Sequence, residues 1–222
     1  MSRRKSRRRR PRKKKSNNKK IILIVALLAI VAVTIVAYSM LGNDGSGENV
    51  PSGGKVLLET SMGNITIQLR DDMPITTENF KNLVQQGVYD DTIFHRVIDG
   101  FMIQGGDPTG TGYGDPSIPN IQDELSETPE NRKNVKGTVA MAKKSDPTTG
   151  QVIPDSGSSQ FFINVVNNSN DEFDGTYPVF GKVIEGIDIV DRISEVPTDG
   201  DPPNGNNKPL EDVTLIKAQL ID

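Results

Sequence analysis

The sequence contains no cysteine and no tryptophan, and His95 is its only histidine. Without cysteine there can be no disulfide, no thiolate metal site, no cysteine nucleophile and no lipid-bearing residue of a lipoprotein signal. One histidine excludes a histidine-based metal cluster within a single chain. It also leaves no recognisable Ser-His-Asp order for nucleophilic catalysis. Chemistry done here is expected to need a hydrogen-bond donor and a dry pocket rather than a nucleophile; a carboxylate-only metal site would have to be argued separately, and no cofactor is expected.

Charge is unevenly spread. Residues 1–20 hold 13 of the 26 Lys and Arg residues and no acid, so the remainder carries 13 basic against 29 acidic groups, a net of −16. These are two different physical objects. The acidic excess of the second is most simply a solubility device.

Residues 21–41 carry no charge, and only Thr34, Tyr38 and Ser39 are polar. Such a run is what a helix needs to cross about 30 Å of hydrocarbon. The arginines and lysines from Arg7 to Lys15 precede it, and positive flanks stay on the cytoplasmic side. The expected organisation is a basic cytoplasmic tail (1–20), a transmembrane helix (21–41), a Gly/Ser/Asn-rich flexible linker (42–54) and a folded domain (55–222). That makes a single-pass protein of the cell membrane with its N-terminus cytoplasmic and its domain extracytoplasmic. A cleaved signal peptide is the rival, but its apolar core is shorter, and Ala37-Tyr38-Ser39 matches the cleavage pattern only loosely. The tail reads as a topology signal with some attraction for lipid headgroups, and no nucleic-acid partner is expected.

Within 55–222, runs at 56–60 and 65–69 read as a hairpin, with Gly63-Asn64 as permissive turn residues. Residues 74–86 change to helical spacing through Phe80, Leu83 and Val84, with Thr76 or Thr77 as cap and Gly87 as stop. Strand-like runs follow at 92–98, 101–104, 137–142, 160–166 and 177–184, then a second short helix at 186–194 and a closing strand at 213–221. Many short strands with two helices argue for a mainly β barrel or sandwich.

The most informative stretch is Phe94 to Asp107. It sets Arg96 among large apolar side chains and then runs into a glycine-rich loop. A lone cation in an apolar groove is costly unless it has a partner or a task. Asp99-Gly100 between two strands is a hairpin signal. A two-residue turn there would put Arg96, Phe101 and Ile103 on one face, and Met102 and Gln104 on the other.

The domain resembles the cyclophilin-type peptidyl-prolyl cis-trans isomerases. The motifs are Phe94-His95-Arg96, the run Gly100 to Asp107, Gly110-Thr111-Gly112, Gly137 to Ala142, Ser159 to Ile163, and Asp174-Gly175 followed by Val179 to Val183. They span nearly all of 55–222 in the family's order. The resemblance implies a closed eight-stranded antiparallel β-barrel capped by two α-helices, here preceded by one N-terminal transmembrane helix. It implies a catalytic set of Arg96, the neighbouring His95 and Gln104, which orients the arginine; His95 reads as a structural member of that set more than as a general base. It implies substrate contacts at Phe101, Met102, Gln160, Phe162 and Phe173. It places Met102 and Gln104 beside Arg96, so a bulge or wider turn is expected at Asp99-Gly100.

The expected activity is rotation of X-Pro bonds in exported proteins, with proline-containing polypeptides as partners. The alternative is a chaperone or scaffold module that binds proline segments, with incidental catalysis. The chain departs from the family pattern in four places. Glu172 stands where many members have tryptophan, which weakens the expectation of tight cyclosporin binding but not that of isomerase activity. Tyr177 stands where a histidine is frequent, Lys143-Lys144 where asparagine is, and residues 145–154 read as an insertion beside the groove. The glycines of 105–114 lack a phosphate-loop ending, and Gly181 stands where a calcium loop needs its closing glutamate.

Overall fold

The computed structural model describes residues 53–222. The basic tail, the 21–41 run and most of the linker lie outside the described residues. Among the described residues, no helix is long and apolar enough to cross a membrane.

The described chain runs β1 (Lys55–Thr60), β2 (Gly63–Leu69), α1 (Pro74–Gln85), β3 (Thr92–Ile93), β4 (Arg96–Ile98), β5 (Met102–Gly105), β6 (Thr138–Met141), β7 (Phe161–Asn164), α2 (Asp171–Thr176), β8 (Val179–Glu185), α3 (Ile187–Ser194) and β9 (Thr214–Ile221). The strands form one antiparallel sheet in the order β3-β9-β1-β2-β8-β6-β7-β5-β4. The expected closed eight-stranded barrel is therefore corrected to a curled nine-stranded half-barrel whose end strands, β3 and β4, are not laddered to each other.

The run 92–98, expected as one strand, is two. The Phe94 N–H bonds to the Val213 carbonyl and the Val97 N–H to the Asn207 carbonyl. The chain thus passes from one end of the sheet to the other across Phe94-His95, and the loop carrying Asn207 covers the β4 edge that would otherwise stand unpaired.

Three local expectations change for identifiable reasons. The β1–β2 turn is Ser61-Met62, because Thr60 pairs with Gly63, and the Thr60 hydroxyl closes it by donating to the Gly63 carbonyl at 2.6 Å. Helix α1 is not capped by Thr76 or Thr77. The Thr77 hydroxyl donates to the Arg70 carbonyl, and the free Thr76 N–H is taken by the Glu124 carboxylate from a distant loop, which supplies the negative charge a helix start favours. A third helix, α2, joins the two expected.

The core fills the inside of the curl. Val97, Ile103, Val139, Met141, Phe161 and Ile163 point inward with Val56, Leu58, Ile65 and Ile67, and α1 and α3 close over them. Phe80 of α1 packs edge-on against Phe161 at 5.4 Å between ring centroids. A smaller apolar cluster of Met102, Ala140, Phe162 and Val179 lies on the outer face of β5–β8. These central strands are buried on both faces, so they read as continuous apolar runs without alternation.

Candidate active site

The outer face of the sheet carries one row of side chains across the strands. Arg96 pairs with Gln104, and Ile98 with Met102. Gln104 is in turn opposite Phe162, and Phe162 opposite Ala140. Residues in register on neighbouring strands lie about 5 Å apart and share a face. The register depends on the β4–β5 turn, which is Asp99-Gly100-Phe101. The Phe101 N–H bonds back to the Ile98 carbonyl, with Gly100 at φ +66°. The third turn residue puts Arg96, Met102 and Gln104 on one side, as the family resemblance required, and sends Val97 and Ile103 to the core.

Hydrogen bonds along the row run one way. Arg96 Nη1 donates to Gln104 Oε1 at 3.3 Å. Gln104 Nε2 donates to Gln160 Oε1 at 2.9 Å. Gln160 Nε2 donates to the Gly112 carbonyl at 3.1 Å. A guanidinium can only donate, so Gln104 must present its oxygen to it, and the other amides follow in order. Among the described residues Arg96 has no ion pair, and its only side-chain hydrogen bond is the one to Gln104. Burial depresses its pKa, with the Tyr177 hydroxyl acting the other way, and the group stays charged at neutral pH.

Beside the arginine, aromatic rings form a cup. Phe173 stands 6.0 Å from Phe101, 5.9 Å from Phe162 and 4.6 Å from Tyr177. Met102 lies beneath them. The cup opens into a cavity of about 660 Å³, also lined by His95 and Arg96.

His95 is 7% exposed, and neither ring nitrogen has a partner among the described residues. Gln160 lies nearby, but its amide is bonded to Gly112 and Gln104. Burial lowers the imidazole pKa against the opposing pull of the Asp107 carboxylate, so the ring is neutral at pH 7 and serves as a wall. The glycine-rich loop winds around Asp107, which accepts from the N–H groups of Thr109, Gly112 and Gly114. Gly106, at φ +80°, must be glycine, since a side chain there would strike the Ser159 carbonyl and the Phe161 ring.

Comparison with known proteins settles the family. Residues 55–220 match the cyclophilin type peptidyl-prolyl cis-trans isomerase/CLD family. The chain belongs to the cyclophilins. It is 38% identical over 170 residues to peptidyl-prolyl cis-trans isomerase A of Dickeya dadantii, covering 75% of this chain and 84% of that one. It is 41% identical over 164 residues to the human peptidyl-prolyl cis-trans isomerase-like 1, covering 73% and 90%. A Cryptosporidium parvum cyclophilin, crystallised in the presence of the dipeptide Ala-Pro, superposes with a TM-score of 0.63 at 32% identity, covering 76% of this chain and 99% of that one. This cyclophilin is accordingly a peptidyl-prolyl cis-trans isomerase.

The fold brings together every residue singled out from the sequence: Arg96, Gln104 and His95 at one end of the groove, Phe101, Met102, Phe162 and Phe173 in the cup, and Gln160 at the end of the relay. Tyr177, which the sequence marks only as a departure from the family's histidine, also lines the cavity. It follows Phe173 by four positions, a spacing at which side chains meet on a helix. Glu172 is exposed and forms no wall of the cavity. The 145–154 segment closes on itself through a Ser145–Val152 bridge. Its Pro147 and Ile153 border a second cavity of about 410 Å³ that shares Gln104 and Gly112 with the first.

The relay gives a direct expectation. Gln104→Leu removes both the acceptor for Arg96 and the donor to Gln160 while keeping the bulk. Turnover of an X-Pro peptide is expected to fall about 10-fold in kcat, with an unaltered melting curve.

Proposed function

We propose that the aromatic cup seats the proline ring of a client polypeptide, and that Arg96 is the catalytic donor. An X-Pro bond resists rotation because resonance gives its C–N bond partial double-bond character, a barrier of about 18–20 kcal/mol. Twisting the bond localises a lone pair on the proline nitrogen. An arginine N–H aimed at that nitrogen bonds to it only in the twisted state, so it lowers the barrier instead of merely binding substrate. No covalent intermediate and no cofactor is required. The observation that carries this reading is a charged, unpaired guanidinium held by one bond to Gln104 at the rim of an apolar cup. The surrounding Phe101, Met102, Phe162 and Phe173 exclude water, which strengthens the hydrogen bond. The Ala-Pro used with the Cryptosporidium relative supports proline as the occupant.

The reading extends to place. The apolar run 21–41 tethers the domain to a membrane, the basic tail stays inside, and the clients are exported chains folding outside. Two measurements test this. In a peptide isomerisation assay paired with a binding titration, catalysis at substoichiometric enzyme is expected. Tight binding without turnover would leave only a proline-segment chaperone. N-terminal sequencing and membrane partition of the mature protein are expected to find the intact tail in the membrane fraction. A soluble form beginning near residue 40 would remove the tether.

A further inference from the structure

Under the cup lies a layer of buried amides that the mechanism above does not use. Asn164 follows Phe162 by two positions on β7 and so faces the same side of the sheet. Asn164 and Asn134 are both wholly buried. Asn168 Nδ2 donates to the Phe101 carbonyl at 2.9 Å and to Asn164 Oδ1 at 2.8 Å. Asn164 Nδ2 donates to Asn134 Oδ1 at 3.1 Å and to Thr138 Oγ1 at 2.9 Å. Asn134 donates from its backbone to Asp174 Oδ1 at 2.8 Å and from its side chain to the Tyr177 carbonyl at 3.3 Å. A continuous line of hydrogen bonds thus joins the turn bearing Phe101 to the helix bearing Phe173 and the tyrosine that ends it. Phe101 and Phe173 are facing walls of the cup. A satisfied polar network in a dry interior is stiff, because each group would be costly to leave unpaired.

We propose that Asn168, Asn164 and Asn134 are positioning residues that set the width of the proline cup by tying the Phe101 turn to α2. This rests on the cup being the proline site. The cup touches the proline ring in the flat and the twisted bond alike. Loosening it therefore weakens both states together, which raises KM and leaves kcat in place. Loss of the arginine does the opposite. A purely structural network would move the melting temperature and neither kinetic constant.

Asn168→Asp keeps the shape and removes the amide donors. Asn168 is only half-buried, so the variant is expected to fold, which a thermal melt checks. On an X-Pro peptide, KM is expected to rise about 5-fold with kcat within 2-fold of the parent. Asn168→Ser, which retains one donor, is expected to fall between. In a Phe101→Ala background the same change is expected to leave KM where Phe101→Ala alone puts it, because the wall it positions is gone. An unmoved KM in Asn168→Asp, or a full additional rise in the Phe101→Ala background, overturns the proposal. Arg96→Ala measured alongside separates the two readings. If it loses kcat while the Asn168 variants behave as the parent, only the positioning role fails. If it keeps kcat, the site itself is misplaced.

Discussion

Replacing Arg96 by alanine is expected to lower kcat/KM for an X-Pro peptide about 100- to 1000-fold, the usual effect of removing one preorganised donor from a water-excluded site. The loss should fall on kcat, since the donor acts in the twisted state. The fold should be unaffected, because among the described residues the Arg96 side chain bonds only to Gln104, and alanine keeps the backbone ladder of β4. Lysine is expected to rescue poorly: it keeps the charge but not the planar fork that can hold Gln104 with one N–H and offer another to the substrate. A proline-limited refolding assay measures the effect on a protein client. Full activity in Arg96→Ala would end the assignment of the guanidinium as catalyst.

The largest effect on stability is expected far from the groove. Arg70 is 6% exposed, and its guanidinium is held by Asp72 through two bonds of 2.8 Å. Asp72 also accepts from Ser126 at 2.6 Å and Asn131 at 3.0 Å, so one carboxylate pins the entrance of α1 to the 126–132 loop. Asp72→Ala leaves a buried cation with no counter-charge. The cost should be about 2–3 kcal/mol, somewhat below the range for fully buried broken pairs, because the carboxylate still meets water. For a domain of this size that is a drop of roughly 5–10 °C in melting temperature. The pH dependence has a definite sign. Burial raises the Asp72 pKa, but bonds from Arg70, Ser126 and Asn131 outweigh it and hold it at about 2. A carboxylate whose folded pKa lies below its unfolded one contributes stability above about pH 4 and loses it as pH falls toward 2. The gap in melting temperature between parent and Asp72→Ala should therefore narrow over that interval. A gap independent of pH would show that the carboxylate's charge is not what holds the corner.

Several of these features are legible in the sequence, and the exceptions have physical causes. Motif order alone singles out the residues that the fold gathers along the groove, because Arg96, Phe101, Met102, Gln104, Gln160 and Phe162 sit in short runs of fixed spacing. Strand parity could not place them. Asp99-Gly100 is equally suited to a two- or three-residue turn, and the choice moves every side chain of β5 to the opposite face. The end strands of the sheet were also invisible, since 92–98 has the composition of one strand and is divided only by which distant carbonyls its N–H groups reach. Helix α2 is a short turn held by the Asn170 side chain on the Phe173 N–H, too brief to show a period. The amide layer escapes any pattern search, because Asn134, Asn164 and Asn168 look like ordinary loop and strand-end residues until the fold stacks them.

The transverse row from Arg96 through Gln104 and Phe162 to Ala140 has a consequence for what this cyclophilin can discriminate. A polypeptide lying along it crosses strands whose own amides and carbonyls already bond to neighbouring strands, so it cannot be read by strand addition. With proline seated in the cup as proposed, any further discrimination among clients falls to side chains reaching the adjoining cavity bordered by Pro147 and Ile153, since the sheet itself offers no free edge along this row.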